Sequence, residues 1–134
     1  MLRIFLDANV LFSASNQSSP IAELVYLILE RHELVTSDLA LEEARRNIQA
    51  KRPHGMDTFI QLSKKVTIVS TRIIELPVPM VEKDAPILTS AIQSKCNYLA
   101  TGDKKHFGHL YNQVIEGLEV VSIVRMAEIV FDLD

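Results

Sequence analysis

One cysteine, Cys96, occurs in the 134 residues, which excludes an intramolecular disulfide framework and leaves no cysteine cluster for zinc. Glycine is scarce as well. Four glycines spread along the chain form neither a P-loop nor a dinucleotide-binding fingerprint. No serine has the Gly-x-Ser-x-Gly setting of a nucleophile elbow. His106 and His109 lie three apart without a third soft ligand nearby, which argues against zinc. The apolar runs fall far short of the ~20 residues that span a bilayer. Met1 leads directly into an apolar stretch with no basic leader, so a cytoplasmic location is the expectation. Nor is there a surplus of positive charge. Fourteen Lys and Arg against seventeen Asp and Glu give a net charge of -3, a balance that argues mildly against a nucleic-acid binder. That argument weakens if several acids are withdrawn from the surface to hold divalent cations. The basic pairs Arg45-Arg46, Lys51-Arg52, Lys64-Lys65 and Lys104-Lys105 read as solvated helix faces.

What the chain does have is an ordinary globular composition, 48% hydrophobic, in a length suited to one domain over residues 1–134. It opens with Leu2-Arg3-Ile4-Phe5-Leu6-Asp7, an apolar run interrupted only by Arg3. Such a run fits a strand of a parallel sheet covered by helices, which has no polar face to alternate toward. Asp7 stands where that strand ends and a loop begins. Ser18-Ser19-Pro20 supplies a hydroxyl cap and a first-turn proline for a helix whose stripe is Ile21, Leu24, Val25 and Ile28. Leu27 and Leu29 widen that stripe beyond one buried face, which suggests a surface for a second copy or another partner.

A strand over Glu33 to Ser37 follows, then a helix that Asp38 can cap, running through Ala44 and Ile48 until Pro53-His54-Gly55 breaks it. A helix to Lys65 and a strand from Val66 to Ser70 come next. Pro77-Val78-Pro79 reads as an extended connection. The remaining pattern is a helix over Asp84 to Cys96, a strand over Asn97 to Thr101, and a short helical piece over Lys104 to Gly108. A strand over Glu119 to Val124 and a closing helix over Arg125 to Phe131 complete it. Alternating strands and helices predict an α/β fold with a parallel sheet flanked by helices.

Acids fall at telling places in that pattern. Asp7 and Asp103 end two strands and so reach one carboxyl edge, where open α/β sheets bind ligands. Asp84 precedes Ile87 and Leu88 by three and four residues, on the apolar side of its helix. Glu43 sits on the flank of the Ala40–Ala44–Ile48 face near Asn47, whereas Glu42 points further toward solvent. Singly, each acid has a duller reading as a helix cap, a turn residue or a solvated side chain. Together, several carboxylates in one cleft repel unless cations join them, and hard oxygen ligands select Mg²⁺ or Mn²⁺.

These stretches resemble the motifs of the PIN-domain family, small metal-dependent nucleases that include the ribonuclease toxins of bacterial toxin–antitoxin pairs. Phe5-Leu6-Asp7-Ala8-Asn9-Val10-Leu11 is similar to the opening motif, and Ser37-Asp38-Leu39-Ala40-Leu41-Glu42-Glu43 to the second, with its acid placed at Glu43. Asp84-Ala85-Pro86-Ile87-Leu88-Thr89-Ser90-Ala91 resembles the third, departing in Pro86 and in Ser90 where alanine is commoner. Thr101-Gly102-Asp103-Lys104-Lys105-His106-Phe107 is the most specific match. The resemblance covers essentially the whole chain.

It implies an Mg²⁺- or Mn²⁺-dependent endoribonuclease in which Asp7, Asp84 and Asp103, completed by Glu43, hold one or two ions and form the catalytic centre. Asn9 and Thr101 would position the acids or the attacking water, and Lys104 and Lys105 would be the candidates for RNA phosphates. It also implies a possible antitoxin partner. Two other readings stay open at this point. A haloacid-dehalogenase-type phosphatase also places an Asp after strand one, although it usually has a second Asp where this chain has Asn9. A non-catalytic module could keep the fold and bind RNA or protein.

Overall fold

The computed structural model describes residues 1–71 and 84–132. The expected extended connection at Pro77-Val78-Pro79 lies outside these residues. Among the described residues six strands form one sheet: β1 (Arg3–Leu6), β2 (Glu33–Ser37), β3 (Thr67–Val69), β4 (Tyr98–Ala100), β5 (Val114–Ile115) and β6 (Leu118–Val121). Their order is β3-β2-β1-β4-β6-β5, parallel throughout except for the antiparallel β5–β6 hairpin. The described residues also form seven α-helices, which pack around it: α1 (Ala8–Ala14), α2 (Pro20–Leu29), α3 (Asp38–Lys51), α4 (Met56–Ser63), α5 (Ala85–Gln93), α6 (Lys104–Phe107) and α7 (Ile123–Asp132).

The expected fold class is the one observed, and the central strands show why. Ile4, Phe5 and Leu6 on β1 and Leu99 and Ala100 on β4 are buried whichever face they point to, because helices cover both sides. From β1 the chain winds outward through β2 to β3. It then returns to the other side of β1 with β4 and β6. That reversal creates a switch point at the carboxyl ends of β1 and β4, where the loops leave in opposite directions and a crevice opens.

Several local expectations need correction. The residues after Asp7 form helix α1, not a loop, with Asp7 as its N-cap accepting the Ala8 N–H at 2.7 Å. Ala8, Val10, Leu11 and Ala14 make its buried face, and seven residues are too few for a helical period to stand out from the strand before it. Ser37, not Asp38, caps α3, accepting the Ala40 N–H at 3.1 Å. Asp38 begins the helix and accepts hydrogen bonds from Leu39 and Thr71, which hold its carboxyl below the usual range, the Thr71 hydroxyl most of all.

The last strand stops at Val121. Ser122 accepts the Arg125 N–H and starts α7, so the β-branched Ile123 and Val124 are helical despite their strand preference. The β5 strand has only two residues, too few to show a strand pattern in the sequence. Its turn places Glu116 and Gly117 at φ of 52° and 84°, the two positive values that a tight hairpin matching the sheet twist requires. Glycine meets that demand without strain, whereas Glu116 adopts a conformation unfavourable for a side chain bearing a Cβ.

Candidate active site

Three aspartates stand at the N-caps of three helices around the switch point: Asp7 before α1, Asp84 before α5 and Asp103 before α6. The helix termini direct their positive dipole ends toward the same crevice, a setting that favours carboxylates there. With Glu43, these acids line one open cleft of about 210 Å³, together with Ala8, Asn9, Phe12, Asn47 and Lys51. The cap reading and the cleft reading of Asp7 and Asp103 are therefore both true of the geometry. Asp7 accepts from Ala8, and Asp103 accepts the His106 N–H at 3.2 Å, while each faces the shared space.

Glu43 and Glu42 separate clearly. Glu43 lines the cleft, whereas Glu42 turns away to pair with Arg45 at 2.5 Å. The helical period explains this. Glu43, Asn47 and Lys51 recur every four residues on one row of α3, and all three reach the cleft. Glu42 is one position out of that row.

A hydrogen-bond network fixes the floor. The buried Thr101 hydroxyl donates to Asp7 Oδ2 at 2.7 Å and accepts the Asp103 N–H at 3.1 Å, so one side chain ties the carboxyl ends of β1 and β4 together. Asn9 Oδ1 accepts the Gly102 N–H at 3.3 Å. Tyr111 donates its hydroxyl to the Thr101 carbonyl at 2.9 Å. Burial raises the Asp7 pKa to about 6, and the negative charges of Glu43 and Asp103 add to that, against the Thr101 and Ala8 hydrogen bonds. Burial, and then the charges of Asp103 and Asp7, likewise push the Tyr111 phenol upward. The protein alone thus holds these acids at a cost in repulsion and desolvation that a bound cation would relieve.

His106, which has no soft-ligand companion but His109 nearby in the sequence, gains its partners only in the fold. Its Nδ1 lies 2.8 Å from Asp103 Oδ2 and 3.2 Å from Asp84 Oδ2. Ligand atoms of Asp84, Asp103 and His106 all fall within 4.8 Å of one another, so these three could hold a metal ion. The available signal was the three-residue spacing from Asp103, which on one helical turn brings His106 back over its own cap. Oxygen donors predominate in the cleft, and that chemistry suits Mg²⁺ or Mn²⁺. Lys104 and Lys105, in contrast, are exposed on α6 and do not line the cleft; Lys51 does.

The strand order and the cleft at its switch point define a PIN-like α/β fold. No protein-family model matches the sequence, and no curated protein matches it. Solved structures do. The chain is similar to one in VapBC2 from Rickettsia felis bound to a DNA fragment from its promoter, with 16% identity and a TM-score of 0.66 over 90% of this chain and 98% of that one. It is also similar to one in DNA-bound VapBC from Salmonella typhimurium, at 16% identity and a TM-score of 0.62 over 91% and 98%. A third is the sarcin–ricin loop cleaving toxin VapC20 of Mycobacterium tuberculosis, at 12% identity and a TM-score of 0.58 over 84% and 97%. The protein has the PIN-like fold of these chains.

Proposed function

We propose that the protein is a divalent-metal-dependent endoribonuclease, the toxin of a toxin–antitoxin pair. One observation carries the reading: Asp7, Glu43, Asp84 and Asp103, drawn from four separate stretches, line a single cleft at the switch point. In this reading Asp84 and Asp103 are the main metal ligands, Asp7 and Glu43 complete the set, and His106 steadies the two aspartates between which its Nδ1 lies. One or two bound Mg²⁺ or Mn²⁺ ions would acidify a water and offset charge on the phosphoryl group. Thr101 holds Asp7 through Oδ2, and Asn9 braces the Gly102 turn that presents Asp103. Lys104 and Lys105 are proposed to meet outlying phosphates only. The similarity to chains of VapBC complexes supports an antitoxin partner.

Purified protein incubated with a panel of RNAs should cleave in Mg²⁺ or Mn²⁺ and stop when EDTA is added. Undiminished cleavage in EDTA would refute metal dependence. Absence of cleavage together with tight Mn²⁺ binding would leave a non-catalytic module as the better account.

Self-association through α2 belongs to the same proposal. Leu27 is 40% exposed on that helix, and Val124 and Phe131 are exposed on α7, which packs beside it. At tens of micromolar, the order of magnitude for weak association, the parent should sediment as a dimer and Leu27→Glu as a monomer. A parent that stays monomeric at that concentration contradicts the proposed surface.

A further inference from the structure

We infer that Lys51, with Asn47 and Phe12, forms a subsite for the RNA nucleotide adjoining the phosphate at the carboxylates. This rests on the ribonuclease reading and adds to it the direction the strand takes. A polyanion approaching four acids needs positive charge, and the chain as a whole supplies none in surplus at a net -3. Among the described residues lining the cleft, Lys51 is the cation. It has no ion-pair partner among the described residues, so its charge is available to a ligand.

Its position along α3 decides which phosphate it serves. Lys51 lies eight residues beyond Glu43, about 12 Å along the helix axis at 1.5 Å per residue. Side chains on a helix lean toward its N-terminus, which brings the Lys51 stem back over Asn47 toward the acids. The ammonium therefore serves a phosphate beside the reacting one, while Asn47, half-buried between them, offers both an amide donor and an acceptor.

The lining also has an aromatic member. Phe12 on α1 lines the cleft, and the Arg52 guanidinium lies 5.6 Å from its ring centroid. A guanidinium so placed is attracted to the ring face and helps hold the ring in position. An ordered aromatic edge beside a lysine and an amide is a surface that suits a single-stranded nucleotide, whose base needs an apolar contact and whose backbone needs a cation. The strand is thus expected to leave the acids on this side along the Asn47–Lys51 row of α3.

The test is fluorescence anisotropy with a labelled single-stranded RNA of mixed sequence, in Mg²⁺, on an Asp103→Asn background that slows cleavage. Lys51→Met should weaken binding about fivefold at low salt and reduce the slope of log K against log salt by about 0.7, the loss of one phosphate contact on a single strand. Lys51→Glu should weaken it further. Lys64→Met, on the exposed end of α4, should match the background, and circular dichroism should show all variants folded. Binding by Lys51→Met with the background's affinity and slope would overturn the inference, as would an equal loss in Lys64→Met or a background protein that binds no single strand. The two claims fail separately. A parent that cleaves RNA while Lys51→Met binds normally sinks only the subsite, and a parent that never cleaves while Lys51→Met binds weakly sinks only the nuclease reading.

Discussion

Asp103→Asn is expected to lower RNA cleavage at least about a hundredfold, in the range seen when one preorganised electrostatic group is removed from an active site, without destabilising the metal-free protein. The two halves of this result come from different properties of one side chain. Asparagine caps a helix as well as aspartate does, so the bond from the His106 N–H to Asp103 Oδ1 survives the change. The charge does not survive. In EDTA its loss relieves repulsion with Asp7, whose carboxyl the Asp103 charge helps to raise, so the melting temperature should hold or rise. In Mg²⁺ the parent should gain stability by mass action, because the ion binds only the folded state, and the variant should gain much less. A residue that served only as a turn would give equal Mg²⁺ responses and full activity. Thermal denaturation in EDTA and in Mg²⁺, beside a cleavage assay, separates the two.

The second large effect concerns Asp7 and pH. Burial raises its pKa in the folded protein from an ordinary 3.8 to about 6, so between those values the folded state binds more protons than the unfolded state. Stability therefore falls as pH rises through this window. Two units correspond to about 3 kcal/mol at most, lost by about pH 7 and present in full below about pH 4. Other carboxylates titrate as well, and the Asp38 carboxyl, held low by Thr71, acts at lower pH and in the opposite sense. The informative quantity is thus the difference between parent and Asp7→Asn. In EDTA the variant should be the more stable of the two at pH 7, with the gap closing as pH falls toward 4. Ion binding requires the ionised carboxylate, so stabilisation of the parent by Mg²⁺ should be larger at pH 8 than at pH 5.5. Urea titrations across pH measure both. A gap that does not vary with pH would mean that Asp7 is ionised normally and is not a strained acid.

The sequence was most readable where one physical demand acted alone. Ile4-Phe5-Leu6 reads as a strand buried on both faces, and the Glu33 to Ser37 strand has the bounds its sequence suggests. The four acids stand out because strand ends and helix starts are marked by short, recognisable signals, and all four line one cleft. Three things lay beyond reach for identifiable reasons. Helix α1 follows β1 with no intervening loop, since Asp7 ends one element and caps the next. His106 takes its meaning from Asp84, which lies twenty-two residues away in the chain and meets it only in the folded protein. Lys51 read as a solvated helix residue, and it is exposed. What brings it to the cleft is the four-residue row from Glu43, a pattern visible in the sequence only after Glu43 has been chosen over Glu42.

The central claim is that these carboxylates organise hydrolysis of a phosphodiester by water, with a divalent ion required. End-group analysis of the cleavage products tests it most directly. RNA cut by the parent protein in Mn²⁺ and H₂¹⁸O should yield fragments with a linear terminal phosphate carrying one ¹⁸O at its phosphorus, and neither EDTA-treated parent nor Asp84→Asn should yield them. Fragments ending in a 2′,3′-cyclic phosphate, formed equally well in EDTA, would show attack by the ribose hydroxyl and would contradict the account.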